Sequence, residues 1–131
     1  MISWGEIFAV LLVSHLVGDF LLQTDWQAVH KYSGLSGGES RRALFSHILM
    51  YTVAFLPGLV WIDGSRSIGL TLAVAAAIAV PHLIQDDGRL LTRYCLAVKH
   101  TQLVPGDWLF TLVDQSFHIV ALFAAALLAS T

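Results

Sequence analysis

The chain has 131 residues, 56% of them hydrophobic and 12% charged, with a formal net charge of −2. Long stretches therefore lack the charge to build a water-facing surface, which excludes a soluble globular domain and predicts a single transmembrane domain over 1–131. The absence of a basic run excludes an electrostatic footprint for nucleic acid, and the lone Cys95 excludes an intrachain disulfide or a thiolate metal cluster.

The first apolar segment, about 4–25, opens on Trp4 and has neither a basic leader nor a small-residue cleavage site, so it reads as a retained helix. A Gly/Ser-rich loop from Tyr32 to Ser40 precedes the second segment, about 42–62, and Asp63-Gly64-Ser65-Arg66-Ser67 reads as a tight turn into the third, about 67–87. The third contains an Ala-rich stretch from Ala73 to Ala79, suited to close packing, and Pro81, expected to kink the helix just before His82. Over 89–100, Leu90, Leu91, Tyr94, Cys95 and Val98 form an apolar stripe at helical spacing, with Arg89, Arg93 and Lys99 off it. With Gly88 before it, this stretch reads as a short helix in the headgroup layer rather than an extension of the third span. Pro105-Gly106-Asp107 then turns the chain into the fourth segment, about 108–129, with Asp107 placed as its N-cap.

Each segment approaches the roughly 20 residues that cross a bilayer, so the expected fold is all-α, an antiparallel up-down four-helix membrane bundle. Trp4, Trp26, Trp61 and Trp108 all fall near span ends, where indoles favour the interface. Lys31, Arg41, Arg42, Arg89, Arg93 and Lys99 lie on one side and Arg66 on the other, so the first side is expected to be cytoplasmic. In a bacterium this places the chain in the inner membrane with both termini outside.

Ionisable groups inside a span cost several kcal/mol and call for a partner or a function. Here they are His15, Asp19, His47, His82, Asp86, Asp114 and His118. His15 and Asp19, His82 and Asp86, and Asp114 and His118 are i,i+4 pairs, each on one helix face and close enough to hydrogen-bond or to hold one ion between them. Antiparallel topology brings all seven to the cytoplasmic side, within about 15 Å of the interface at 1.5 Å per residue. A layer of histidines with a layer of shallower aspartates is expected. Gln23, Gln85, Gln115 and Tyr51 lie on or beside the same faces and are candidates to orient ligands or substrate; Asp87 is a further candidate for the cluster, although its position about 100° from Asp86 also suits the headgroup layer. His30 and His100 read as surface residues.

The run His15-Leu16-Val17-Gly18-Asp19-Phe20-Leu21-Leu22-Gln23, with Ser46-His47, His82-Leu83-Ile84-Gln85-Asp86 and Asp114-Gln115-Ser116-Phe117-His118, resembles a family of small bacterial and phage membrane proteins catalogued as a domain of unknown function. The resemblance implies a four-helix membrane fold and a shared polar motif set, without an activity. The His/Asp spacing is also similar to that of membrane-bound metal-dependent hydrolases.

Imidazole and carboxylate together suit a divalent transition metal, zinc first, then iron or manganese, as one ion or two. All seven residues are candidate ligands. The expected activity is hydrolysis of a lipid-like ester or phosphoester at the cytoplasmic leaflet, with Asp86 or Asp114 as general base and His47 steadying the leaving group or completing coordination. The alternatives are a transporter or proton conductor using the same groups as a homo-oligomer, and a structural protein in which they join helices.

Overall fold

A computed structural model describes residues 2–64 and 67–131. Among these, the helices are α1 (Trp4–Leu16), α2 (Asp25–His30), α3 (Gly38–Asp63), α4 (Ile68–Asp86), α5 (Arg89–Val98) and α6 (Trp108–Ala129), with no strand. A π-helical turn, Val17–Leu21, continues α1, and a 3-10 turn, Gly34–Ser36, precedes α3. Four stretches are long and apolar enough to span a membrane: Trp4–Leu21, Gly38–Ile62, Ile68–Asp86 and Trp108–Ala129. The turn expected at 63–67 includes Ser65 and Arg66, which lie outside the described residues, as does Met1.

The first span ends earlier than expected, at Leu21 instead of about residue 25. The cause is local: Thr24 and Gln27 form a reciprocal capping box, each side chain bonding the other's backbone N–H, and this starts α2 as a separate helix. Gln27 also donates from Nε2 to Ser46 Oγ at 3.0 Å, fixing α2 against α3. Asp107 occupies the N-cap position of α6, but its side chain makes no cap bond; its Oδ2 accepts from the Val104 N–H at 2.9 Å and closes the Pro105-Gly106 turn. α4 continues through Pro81.

α1, α3, α4 and α6 pack in a ring, each against the next in that order and α6 against α1. At one end, Ile7, Leu11, Leu59, Ile62, Leu122 and Ala126 close an apolar core. Ala125, Ala126 and Ala129 are buried, so small side chains let α6 approach its neighbours closely. Outward faces carry Leu16, Val53, Leu72, Val80 and Val120, all exposed, while His47, His82, Asp86 and His118 are buried. An apolar exterior around a polar interior suits a lipid solvent and not water.

α5 is a separate helix, as expected. Gly88 takes φ +75 and breaks the path from α4, and a Cβ there would stand 2.8 Å from Tyr32 Cδ1. Leu91 and Cys95 turn inward to pack with Leu103, Phe110 and Val113.

Gly18, in the π-helical turn, sets how closely α1 meets α3: a Cβ there would lie 2.8 Å from Tyr51 Cδ2 and 3.2 Å from Tyr51 Cα. Gly18→Ala should therefore destabilise the protein by about 1–3 kcal/mol through overpacking. Denaturation in detergent reads this directly, and an unchanged midpoint would contradict the close approach.

Candidate metal centre

The π-helical turn shapes the site first. The Leu22 N–H bonds the Val17 carbonyl at 2.9 Å, an i→i+5 step that widens the helix around Asp19. His15 and Asp19 are consequently 4.0 Å apart at Nδ1 and Oδ2, too far for a hydrogen bond, and each finds other partners.

Asp19 reaches across to α3 and α4. Its Oδ1 lies 3.0 Å from His47 Nε2 and 3.6 Å from His82 Nε2. Asp86 Oδ2 lies 2.9 Å from His47 Nε2 and 3.2 Å from His82 Nε2, and the two imidazole nitrogens are 3.1 Å apart. Each ring offers at most one N–H at Nε2, which cannot satisfy both carboxylate oxygens and the facing imidazole at once, and a cation placed among these atoms would satisfy all of them. Metal bonds of about 2.0–2.2 Å to N and O in a tetrahedron place ligand atoms about 3.3–3.5 Å apart, close to the spacing found here. Asp19, His47, His82 and Asp86 thus form a group that can hold a metal ion, and Asp86, Asp114 and His118 form a second.

The surrounding bonds orient these groups. Tyr51 Oη lies 3.1 Å from His15 Nδ1, His15 Nε2 lies 2.9 Å from Gln115 Oε1, and Gln115 Nε2 donates to Asp19 Oδ2 at 2.8 Å. The Gln115 oxygen can only accept, so His15 carries its proton on Nε2 and the Tyr51 hydroxyl donates to Nδ1. His15 is therefore occupied on both nitrogens and stands behind Asp19, outside either ligand group. Tyr51 also stacks flat on His82, with ring centroids 3.4 Å apart and planes 5° from parallel. Gln23 sits over the other side: its amide oxygen accepts from Lys31 Nζ at 2.9 Å and lies 3.3 Å from both ring nitrogens of His47.

Gln115→Ala would free Asp19 Oδ2 while leaving every carboxylate and imidazole of the two groups in place. Metal affinity should fall 10- to 100-fold, as it does when groups that orient a ligand are lost. Competition with a chelator measures this; undiminished affinity would show that Gln115 does not hold Asp19.

In the sequence Lys31 is one of the charges that set the expected orientation. In the structure it is 5% exposed, and its ammonium lies 2.9 Å from Asp86 Oδ2. Burial disfavours the ammonium, but the carboxylates of Asp86 and Asp19 outweigh it and raise its pKa above the ordinary lysine value. Lys31 follows α2 directly, so the capping box that ends the first span early also aims this side chain. Asp87 braces the same loop from α4. Its carbonyl accepts from the Ser33 N–H and its Oδ1 from the Leu35 N–H, both at 2.8 Å, while Arg89 Nε donates to Oδ2 at 2.6 Å. Asp87 thus points away from the cluster, as its position on the helix implied, but is buried under the loop rather than facing outward.

The other expected placements divide. His15, Asp19, His47, His82, Asp86, Asp114 and His118 do converge in one cluster, joined by His–Asp distances of 2.9–4.0 Å. Gln23, Gln115 and Tyr51 touch it. Gln85 does not: it lines a separate apolar recess of about 440 Å³ with Pro81, Tyr94 and Phe117. His30 bonds the Trp26 carbonyl at 2.9 Å and His100 is exposed, both away from the cluster.

A second recess, of about 410 Å³, leads to the cluster between the loop after α2 and the Pro105-Gly106 turn. Asp19, Gln23, Lys31, Asp114 and Gln115 line it, so two carboxylate residues of the cluster border the recess.

These features define a class, a four-helix membrane bundle with a His/Asp cluster buried at one end and reached by a polar recess. The chain belongs to the family described as "Protein of unknown function (DUF3307)", whose model matches residues 7–131. No curated protein and no solved structure matches it.

Proposed function

We propose that the protein is a metal-dependent hydrolase of the membrane, acting on a lipid-like ester or phosphoester at the headgroup level of the cytoplasmic leaflet. The observation that carries this reading is the convergence of His47 Nε2, His82 Nε2, Asp19 Oδ1 and Asp86 Oδ2 at 2.9–3.6 Å beside a polar recess. Zinc suits this donor set best, with iron or manganese as alternatives. A divalent cation there supplies Lewis acidity and lowers the pKa of water.

The residues then take distinct roles. His47 and Asp86 serve as ligands, leaving Asp114, which borders the recess, as the general base. Lys31 stands where it can bind an anionic oxygen of the substrate. The oxygen of water bonds to the carbonyl carbon or phosphorus, the bond to the leaving alkoxide breaks, and the proton taken by Asp114 passes to that alkoxide. A recess of about 410 Å³ suits a headgroup, with the acyl chains left in the bilayer.

A transporter or proton conductor working as a homo-oligomer would use the same groups. The apolar core of Ile7, Leu11, Leu59, Ile62, Leu122 and Ala126 seals the opposite end of the bundle, which favours hydrolysis over passage through the chain. Freshly purified protein, never exposed to chelator, should contain stoichiometric transition metal and release alcohol from lipid esters or phosphoesters in mixed micelles. Metal-free protein from such a preparation would overturn the proposal at its first step.

A further inference from the structure

We infer that Asp86 bridges two cations, its Oδ2 completing the group of Asp19, His47 and His82 and its Oδ1 joining Asp114 and His118 in a second, open site. The inference rests on the metal reading above and goes beyond it in number and division of labour.

The second site is visible in what its atoms lack. Asp86 Oδ1, Asp114 Oδ1 and His118 Nε2 are buried without a hydrogen-bond partner, and they belong to the three residues whose ligand atoms lie within 4.8 Å of one another. Buried polar atoms are rarely left unpaired, and three converging acceptors call for a shared cation. His118 is prepared for one. Its Nδ1 donates to the Asp114 carbonyl at 2.8 Å, which leaves Nε2, 3.5 Å from Asp86 Oδ1, as the ring atom available to a cation. Metal-ligating histidines almost always give their other N–H to such an acceptor.

Asp86 is fitted to bridge because its two oxygens serve different groups. Oδ2 faces His47, His82 and Lys31, whereas Oδ1 faces His118. The two sites also differ in ligand number. Four protein residues can hold a cation in the first and three in the second, which leaves a further coordination position free there beside the first ion. Asp114 belongs to the open site and lines the recess, so the open position lies on the substrate's side. Asp114 keeps its base role through Oδ2. Paired ions suit a displacement in which the attacking and leaving oxygens both need stabilising.

The test is equilibrium dialysis of the full-length protein in detergent against zinc, with metal counted per chain. Wild type should bind two ions; His118→Ala should bind one while keeping its helical circular dichroism, and Asp114→Asn provides the same test without touching the imidazole. One ion in wild type, unchanged by either substitution, would overturn the bridge and leave the single-ion reading standing. No ion in any form would remove both.

Discussion

Asp86→Asn is expected to remove metal binding and weaken the fold together. The substitution keeps the side-chain volume but abolishes the charge that His47, His82, His118 and Lys31 all face. Metal affinity should drop by more than the roughly 100-fold typical of losing an orienting group, because here a ligand itself is lost. The metal-free variant should also be about 3–5 kcal/mol less stable than metal-free wild type, since the buried Lys31 ammonium loses its carboxylate partner. Metal content after dialysis and a denaturation midpoint measure the two effects separately. A variant that keeps both would show that Asp86 is not the centre of the cluster.

Lys31→Met should act in opposite directions on stability and on metal binding. Without a cation, removing the ammonium leaves Asp86 buried beside Asp19 with no lysine to offset either, at a cost of about 3 kcal/mol. With a divalent cation bound, that role passes to the metal and most of the cost disappears. Removing a positive charge this close should also tighten metal binding at least about tenfold, given several kcal/mol of repulsion at protein-like dielectric. The stabilisation conferred by zinc should thus be larger in the variant than in wild type. An equal or smaller shift would contradict the view that Lys31 and the metal share one electrostatic task.

The sign of the pH dependence follows from the raised pKa of Lys31. Its contribution is fully present below the unfolded value, near 10.5, and is lost only as pH rises through the folded value. The cost of Lys31→Met in metal-free protein should therefore be lost only at strongly alkaline pH, above about 10.5.

Much of the bundle was legible in the sequence because the bilayer imposes length and apolarity on every span, and α6 begins and ends where hydropathy put it. The end of the first span was not, because a hydropathy run passes over Thr24 and Gln27 while a capping box stops the helix there. The common depth of the seven polar residues followed from antiparallel topology. Their partners did not, because the π-helical turn swings Asp19 from His15 toward His47. The place of Lys31 in the cluster was not legible for a related reason. Its placement depends on the separate start of α2 and on Asp87 bracing the loop, neither of which periodicity reports. Asp107 shows the opposite case, a residue in the right position whose side chain serves the preceding turn instead of the helix.

If a cation sits among Asp19, His47, His82 and Asp86, anomalous diffraction from crystals grown without chelator, collected on both sides of the zinc, iron and manganese edges, will locate it. The expected result is a peak about 2.0–2.2 Å from His47 Nε2, His82 Nε2, Asp19 Oδ1 and Asp86 Oδ2. A clean map with no anomalous peak, in which Lys31 and protons alone hold those four side chains together, would contradict it.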